Sequence, residues 1–108
     1  MTEGYTKVPQ GSAVPYRGYY FQILRSQGKH ASGGAKSYIV DGKMTGGFAF
    51  LAYPAEYRSS GVKTFLVNGD GAVFEKDLGK NTEAIAKSMT QFNPDSSWRR
   101  TEVDQELP

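Results

Sequence analysis

Few residues of this chain have side chains that could perform catalysis. His30 is the single histidine, and a histidine acts as a general base only with a nucleophile and an orienting acid beside it. It stands in a glycine-rich stretch where no pattern supplies a partner serine. The chain has no cysteine, which excludes thiolate nucleophiles and zinc or iron–sulfur sites built on sulfur. We therefore expect no catalytic residue, no metal site and no cofactor, and predict that the domain is not an enzyme.

Two glycine-containing patterns resemble ligand loops but do not complete them. The turn Asn68-Gly69-Asp70-Gly71 resembles a calcium loop, yet its first ligand position is Leu66 and its bidentate position is Asp77. A hairpin turn is the favoured interpretation, because Asn, Asp and Gly tolerate left-handed φ angles. The glycines between positions 28 and 47 match neither of the two common phosphate-loop patterns. The sequence thus predicts no phosphate loop.

Composition and charge limit the partners. With 38% hydrophobic residues in 108, the chain is too apolar for disorder and has the size of one domain. Its longest apolar run, 48–53, is far too short to span a membrane. The first 63 residues carry eight basic and three acidic side chains, but the basic ones are spaced singly. This spacing is typical of a solvated surface, and we expect no nucleic-acid partner and no membrane span.

The first packed element is predicted where aromatic residues begin to alternate. Tyr19, Phe21 and Ile23 alternate with Tyr20 and its neighbours, which predicts a strand with both faces partly covered. We expect Tyr19 and Phe21 to face the core, leaving the face that carries Tyr20 open to a partner. The following stretch, 26–37, contains three glycines and is predicted to be a mobile loop.

Four further strand segments follow from apolar runs bounded by turn residues. A short strand at 38–40 runs into the two-residue turn Asp41-Gly42. The run 48–53 predicts a central strand that ends or bulges at Pro54, which cannot donate a ladder hydrogen bond. Segments 62–68 and 72–76 predict a hairpin with two competing registers. Phe65 lies opposite Phe74 in the preferred register and opposite Lys76 in the other.

One helix is predicted at 81–92, where apolar side chains recur at helical spacing before Asn93-Pro94-Asp95. The predicted fold is α+β: an antiparallel sheet of about four strands with one C-terminal helix packed on one face. It forms a single domain over 16–98, between an irregular lead-in at 1–15 and a charged flexible tail at 99–108. The predicted core comprises Phe21, Ile23, Phe48, Phe50, Phe65, Val67, Phe74, Ile85, Met89 and Phe92.

Several strings carry a family resemblance: Pro15-Tyr16-Arg17-Gly18-Tyr19-Tyr20-Phe21, Gly46-Gly47-Phe48-Ala49, Ala52-Tyr53-Pro54-Ala55-Glu56-Tyr57, Lys76-Asp77-Leu78-Gly79 and Phe92-Asn93-Pro94-Asp95-Ser96-Ser97-Trp98. Over residues 15–98 the chain resembles the C-terminal part of a bacterial family catalogued as domain of unknown function 2950. Full members are longer and begin with an export signal, so the resemblance implies a periplasmic or extracellular parent protein. It supplies no catalytic residues.

The chain departs from that family at Ser32, where members often have proline. The first residues of the chain lack the basic and apolar regions of a signal peptide, so the expected export concerns a longer parent. A second, weaker similarity is to the globular heads of type IV pilin-like proteins, carried by Ala52-Tyr53-Pro54, Ser60-Gly61, Thr64-Phe65 and Asp70-Gly71.

The function expected from these observations is that of a non-catalytic interaction or structural module of the cell envelope. Its partner would be an envelope protein or surface component, and the isolated domain is expected to be monomeric. The predicted contact surface consists of Tyr16, Tyr20, Lys29, His30 and Lys36. Two alternatives stay open: a hydrolase whose site is assembled only in three dimensions, and a pilin-like subunit head.

Overall fold

Antiparallel strands dominate the computed structural model, which describes residues 15–101. The elements are β1 Tyr19–Leu24, β2 Ser26–Gln27, β3 Lys36–Ser37, β4 Ala49–Pro54, β5 Thr64–Asn68, β6 Val73–Lys76, a 3-10 turn Gly79–Asn81, α1 Thr82–Lys87 and β7 Arg99–Arg100. Strands β1, β4, β5, β6 and β7 form one antiparallel sheet in that spatial order, and β2 pairs with β3 in a small second sheet. Within these residues the single α-helix, α1, lies against β4.

The α+β class is confirmed, but the main sheet has five strands rather than about four. The additional strand is β7, in which Arg99 pairs with Glu75 and Arg100 with Phe74. Both arginines are exposed and lie in the segment predicted as a charged tail. A short edge strand made of two charged residues has no apolar alternation, so the sequence pattern contains no signal for it.

The backbone confirms two local predictions, a turn and the end of a strand. Asp41 and Gly42 have φ angles of 53° and 79°, as a type I′ hairpin turn requires. Val40 and Lys43 exchange both hydrogen bonds across this turn, at 2.6 and 3.0 Å. The predicted strand at 38–40 is limited to that one bridge. Strand β4 ends at Pro54, as predicted.

The β5–β6 hairpin adopts neither of the two predicted registers. Phe65 lies opposite Glu75, and Leu66 lies opposite Phe74. The shift arises because the loop has three residues instead of two, ending at Gly71 with a φ of 87°. The Asn68 side-chain oxygen holds this loop by accepting the backbone N–H groups of Asp70 and Ala72, each at 3.0 Å.

The predicted helix is half as long as its apolar spacing suggested. It stops at Lys87, and the Ser88 hydroxyl donates to the carbonyl of Ile85 at 2.7 Å. The backbone at Phe92 pairs instead with β2: its N–H donates to Ser26 at 2.9 Å, and its carbonyl accepts from Gly28 at 3.0 Å. This pairing with β2 takes the place of further helical turns.

The hydrophobic core lies on one face of the sheet. Most of the residues predicted to form the core lie outside it. Of the predicted core, Phe92 is buried, and Phe74 and Met89 pack against the buried cluster. The prediction is wrong for four residues that are 39–48% exposed: Phe21, Ile23, Phe48 and Ile85. Phe50, Phe65 and Val67 are only half-buried. The strands carry large apolar residues on both faces, so their alternation could not indicate which face is covered.

We name the two faces by the residues that the register places on each. The covered face carries Tyr20, Leu24, Ala49, Leu51, Tyr53, Leu66 and Phe74. The open face carries Tyr19, Phe21, Ile23, Phe50, Ala52, Phe65, Val67 and Val73.

The segment 26–37 forms, with α1 and Trp98, the cover that packs on the covered face, contrary to the prediction of a mobile loop. Gln27 is 5% exposed, and its side-chain amide donates to the carbonyls of Ser32 and Gly34 at 2.8 and 2.7 Å. Its oxygen accepts the Tyr38 hydroxyl at 3.0 Å. Ala31 and Tyr38 are buried in the same cluster as Phe92 and Trp98. The glycines of this segment therefore permit a tightly hydrogen-bonded fold.

Candidate functional site

The open face is built from two rows of side chains that cross the sheet. In the first row, the register aligns Phe21 with Ala52, Ala52 with Phe65 and Phe65 with Glu75, which pairs with Arg99. In the second row, Ile23, Phe50, Val67 and Val73 are aligned in the same way. Both rows are apolar from β1 to β5, and charged groups appear only in the first row toward β7.

The apolar part of this face remains accessible within residues 15–101. Phe21 is 45% exposed and Ile23 is 43% exposed, while Tyr16, beside them, is 62% exposed. An antiparallel sheet with one solvated face ordinarily places polar residues on that face. Contiguous apolar patches on a soluble domain are typical of binding surfaces. The open face is therefore the candidate functional site.

Aromatic rings surround a shallow depression on the open face. The Phe21 ring lies 5.9 Å from the Phe50 ring and 6.2 Å from the Tyr16 ring, measured between centroids. Across the sheet, the Tyr19 and Phe65 rings are 6.1 Å apart. Ala52 lies among them with only a methyl group, so the depression has a volume of about 370 Å³. Its lining is apolar and suits an apolar occupant.

A tight hairpin brings Tyr16 and Arg17 to the edge of this depression. The N–H of Tyr16 donates to the Tyr19 carbonyl at 2.7 Å, and the reverse bond is 3.0 Å. Arg17 and Gly18 form the turn with φ angles of 53° and 86°. The Arg17 guanidinium then lies 5.3 Å from the centroid of the Tyr16 ring, at cation–π distance. One cation therefore borders the apolar depression on the β1 side.

The opposite border of the open face is polar. The Glu75 carboxylate, whose side chain is 17% exposed, lies 3.8 Å from the Lys63 ammonium and 3.5 Å from the Arg99 guanidinium. At the end of the open face where β1 begins, the Tyr19 hydroxyl donates to the carbonyl of Lys63 at 3.2 Å, and burial raises the Tyr19 pKa. A Cβ at Gly61 would overlap the Tyr19 ring, so glycine is required for this close approach.

The structure distributes the five predicted contact residues over both sides of the sheet. Tyr16 borders the open face, whereas Tyr20 is half-buried on the covered face, with its ring 5.5 Å from that of Tyr53. Lys29, His30 and Lys36 are exposed on the segment 26–37. Their contact role stays a prediction, and Tyr16 and Tyr20 cannot belong to one flat surface because they lie on opposite sides of the sheet.

The nearest approach to a catalytic arrangement lies in the turn before β7. The Ser97 hydroxyl donates to Asp95 at 2.5 Å and accepts from the Lys76 ammonium at 2.7 Å. Hydrogen bonds from the Ser97 hydroxyl and N–H lower the Asp95 pKa, with smaller contributions from the charges of Lys76 and His30. Asp95, Ser97 and His30 are exposed. The carboxylate accepts the Ser97 N–H at 2.8 Å, and the backbone carbonyl of Asp95 accepts the Trp98 N–H at 3.1 Å, so these bonds close a turn.

A second exposed carboxylate has a similar local role. Asp77 accepts the Tyr57 hydroxyl at 2.6 Å and the N–H of Gly79 at 2.9 Å. The bond from Tyr57, and then that from Gly79, lowers the Asp77 pKa. The hydrogen bond between Tyr57 and Asp77 is also the main reason why the Tyr57 pKa is raised. Asp77 thus holds the 3-10 turn that precedes α1.

The described part of the chain contains no group of three His, Cys, Asp or Glu side chains placed to hold a metal ion. None of the helices within 15–101 has the length and apolarity needed to cross a membrane. Sequence reasoning missed the open face because it assigned Phe21, Phe50, Phe65 and Val67 to the core. One signal was available: a single short helix cannot cover both faces of a sheet whose strands are apolar on each.

Comparison with known proteins identifies the family. No curated protein and no solved structure matches the chain. The similarity to pilin-like heads is accordingly not supported. A family model described as "Protein of unknown function (DUF2950)" matches residues 1–101, a longer span than the strings noted in the sequence. The chain therefore belongs to the family of proteins of unknown function DUF2950.

Proposed function

We propose that this domain is a non-catalytic interaction module that binds its partner through the open face. The observation that carries this proposal is the exposure of Phe21 and Ile23 on a continuous apolar sheet surface, with the exposed Tyr16 beside them. Leaving such side chains in water is unfavourable, and a partner that covers them gains their burial.

The expected free energy favours a macromolecular partner over a small ligand. Aromatic and large aliphatic side chains have roughly 200 Å² each, so these three expose on the order of 300 Å². Burying that area contributes about 7 kcal/mol, which is comparable to the cost of losing translational and rotational freedom. A partner must therefore cover more than these three side chains, as an extended surface on another protein does.

The proposal includes an exported location and a role in the cell envelope. Support for this part is the family resemblance in the sequence, since full members begin with an export signal. An exported protein without cysteine needs no disulfide chemistry to fold, and its stability depends on packing and hydrogen bonds.

The arrangement of polar groups weighs against a hydrolase. A serine nucleophile needs its hydroxyl on a base that can accept the proton. The Ser97 hydroxyl donates to Asp95, whose lowered pKa makes it a poor acceptor of the proton, and it accepts from Lys76 in a contact that is open to water. Its bonds are those of a turn, so we assign Asp95 and Ser97 a structural role.

Site-specific photo-crosslinking in the source organism tests the interaction module. A benzoylphenylalanine replaces Phe21 on the open face in one strain and Ile85 on α1 in another. These positions are 45% and 39% exposed, so the second is a matched control. We expect a defined crosslinked product from position 21 and none from position 85. Equal yields at both positions, or no product at position 21, would contradict the proposal.

A further inference from the structure

We propose that the partner of the open face is a second copy of this chain, forming a face-to-face sandwich of two sheets. This inference rests on the proposed function and names the partner. Two antiparallel sheets pack stably when both inner faces are apolar, about 10 Å apart and with their strands within about 30° of each other. The open face has the apolar composition of such an inner face.

The area is sufficient for a stable pair. Strands β1, β4, β5 and β6 at about 4.8 Å spacing, with up to six residues each, give a face of roughly 400 Å² in projection. The accessible area of a surface covered with side chains exceeds its projection. Two such faces give about 800 Å² in projection, and the exposed Tyr16 side chains beside them bring the buried total to about 1,000 Å², the size at which specific interfaces begin.

The two rows are complementary to each other when one copy is turned over. A two-fold axis perpendicular to the strands and between the rows places the first row of one copy over the second row of its partner. Ala52, with its single methyl group, then faces Phe50, the largest side chain of the second row. Phe21 faces Ile23, and Phe65 faces Val67. Large side chains thus meet small or branched ones, as close packing between sheets requires.

The same axis keeps the charges out of the apolar centre. Because it leaves the order of the strands unchanged, the Glu75 and Arg99 ends of the two copies lie at one common border. Glu75 is held there by two long ion pairs, to Lys63 at 3.8 Å and to Arg99 at 3.5 Å. A polar rim around an apolar centre is the usual composition of a protein interface.

Sedimentation equilibrium of the full chain tests the dimer. From about 1 μM to about 1 mM, the mass should rise from the 11.9 kDa monomer toward twice that value. Ile23→Lys places a charge in the interface and should raise the dimer dissociation constant at least about tenfold. Ile85→Lys is the matched control on α1, where the wild-type residue is 39% exposed against 43% for Ile23, and it should leave the constant unchanged. Urea unfolding of both variants verifies that they are folded.

Cysteine crosslinking tests the arrangement of the rows, since the chain contains no cysteine of its own. Chains with Phe21→Cys are mixed with chains carrying Ile23→Cys and oxidised. The predicted pairing gives the mixed disulfide in excess over either homodisulfide. A dimer that forms only homodisulfides would overturn this arrangement.

A monomer at about 1 mM overturns the proposed self-association. If Ile23→Lys then still removes the photo-crosslinked product from position 21, the interaction module survives with a different partner. If Ile23→Lys and Ile85→Lys both leave the sedimentation mass and the crosslinked product from position 21 unchanged, both proposals fail.

Discussion

The two faces of the main sheet have nearly the same kinds of side chains and very different surroundings. Leu24, Leu51 and Leu66 on the covered face are at most 1% exposed, whereas Phe21 and Ile23 on the open face are more than 40% exposed. Adjacent residues of β1 thus differ in burial because α1, the segment 26–37 and Trp98 all lie on one side. Apolar character alone does not define a core, because burial depends on the elements that cover a face.

The cover is held by polar contacts as well as by apolar ones. Gln27 ties the segment 26–37 together, and the Asn93 side chain accepts the N–H of His30 at 2.8 Å. Asp95 closes the turn that leads to Trp98. Among the described residues of the open face, polar contacts are concentrated at the border, around Tyr19 and Glu75. Substitutions should therefore affect the two faces differently.

The largest contrast is expected between two neighbours in β1. Leu24→Lys places a charge in the buried cluster at a cost of several kcal/mol, comparable to the whole stability of a small domain, and should unfold it. Ile23 is 43% exposed, so Ile23→Lys should leave the domain folded. Circular dichroism and urea unfolding at low protein concentration show whether each of the two variants is folded. A folded Leu24→Lys variant would show that the covered face is not the core.

A second contrast compares adjacent truncations in β5. Leu66 is fully buried, so Leu66→Ala should lower the free energy of unfolding by about 2–5 kcal/mol. Phe65 is half-buried on the open face, and Phe65→Ala should cost about 1–2 kcal/mol in the monomer. Urea titrations of the two variants give the difference between their free energies of unfolding. A larger loss for Phe65→Ala would place the principal core on the other face.

A third substitution loosens the attachment of the segment 26–37. Gly28 is buried, and a Cβ at this position would overlap the Asn93 side chain, so Gly28→Ala should destabilise the domain by about 1–3 kcal/mol. The control is the double variant Gly28→Ala/Asn93→Ala, which removes the overlap. Its loss of stability should be smaller than the sum of the two single losses. Strict additivity would indicate that the two residues do not meet.

The smallest expected effect is a change in pH dependence. Since its hydrogen bonds lower the Asp95 pKa in the folded state, the carboxylate stabilises the fold above its ordinary pKa of about 3.9. This stabilisation is lost as the pH falls through the lowered pKa. Asp95→Asn keeps an acceptor but removes the charge, so its stability should change less between about pH 5 and pH 2 than that of the wild type. Urea midpoints across this range test the difference, and identical slopes would contradict the assignment.

The local elements were largely predictable from residue types. The turn Asp41-Gly42 and the end of β4 at Pro54 follow from backbone chemistry that acts within a few residues. The β5–β6 hairpin was found, but its register was wrong because a three-residue loop ending at Gly71 replaces the expected two-residue turn. Helix α1 was found, but its end was wrong because Phe92 pairs with β2, more than sixty residues away.

The sequence by itself determined the family, the α+β class and the positions of the main strands, because turn residues, strand propensities and characteristic strings are local. Only the tertiary structure decided which face is covered, since Phe21 and Leu24 are equally suited to a core and differ only in what lies above them. It also decided that Ala52 forms the floor of an aromatic depression, because its neighbours there come from β1 and β5 and are aligned by strand pairing. The candidate site exists because strand pairing brings these residues together and because the covering elements pack on the other face of the sheet.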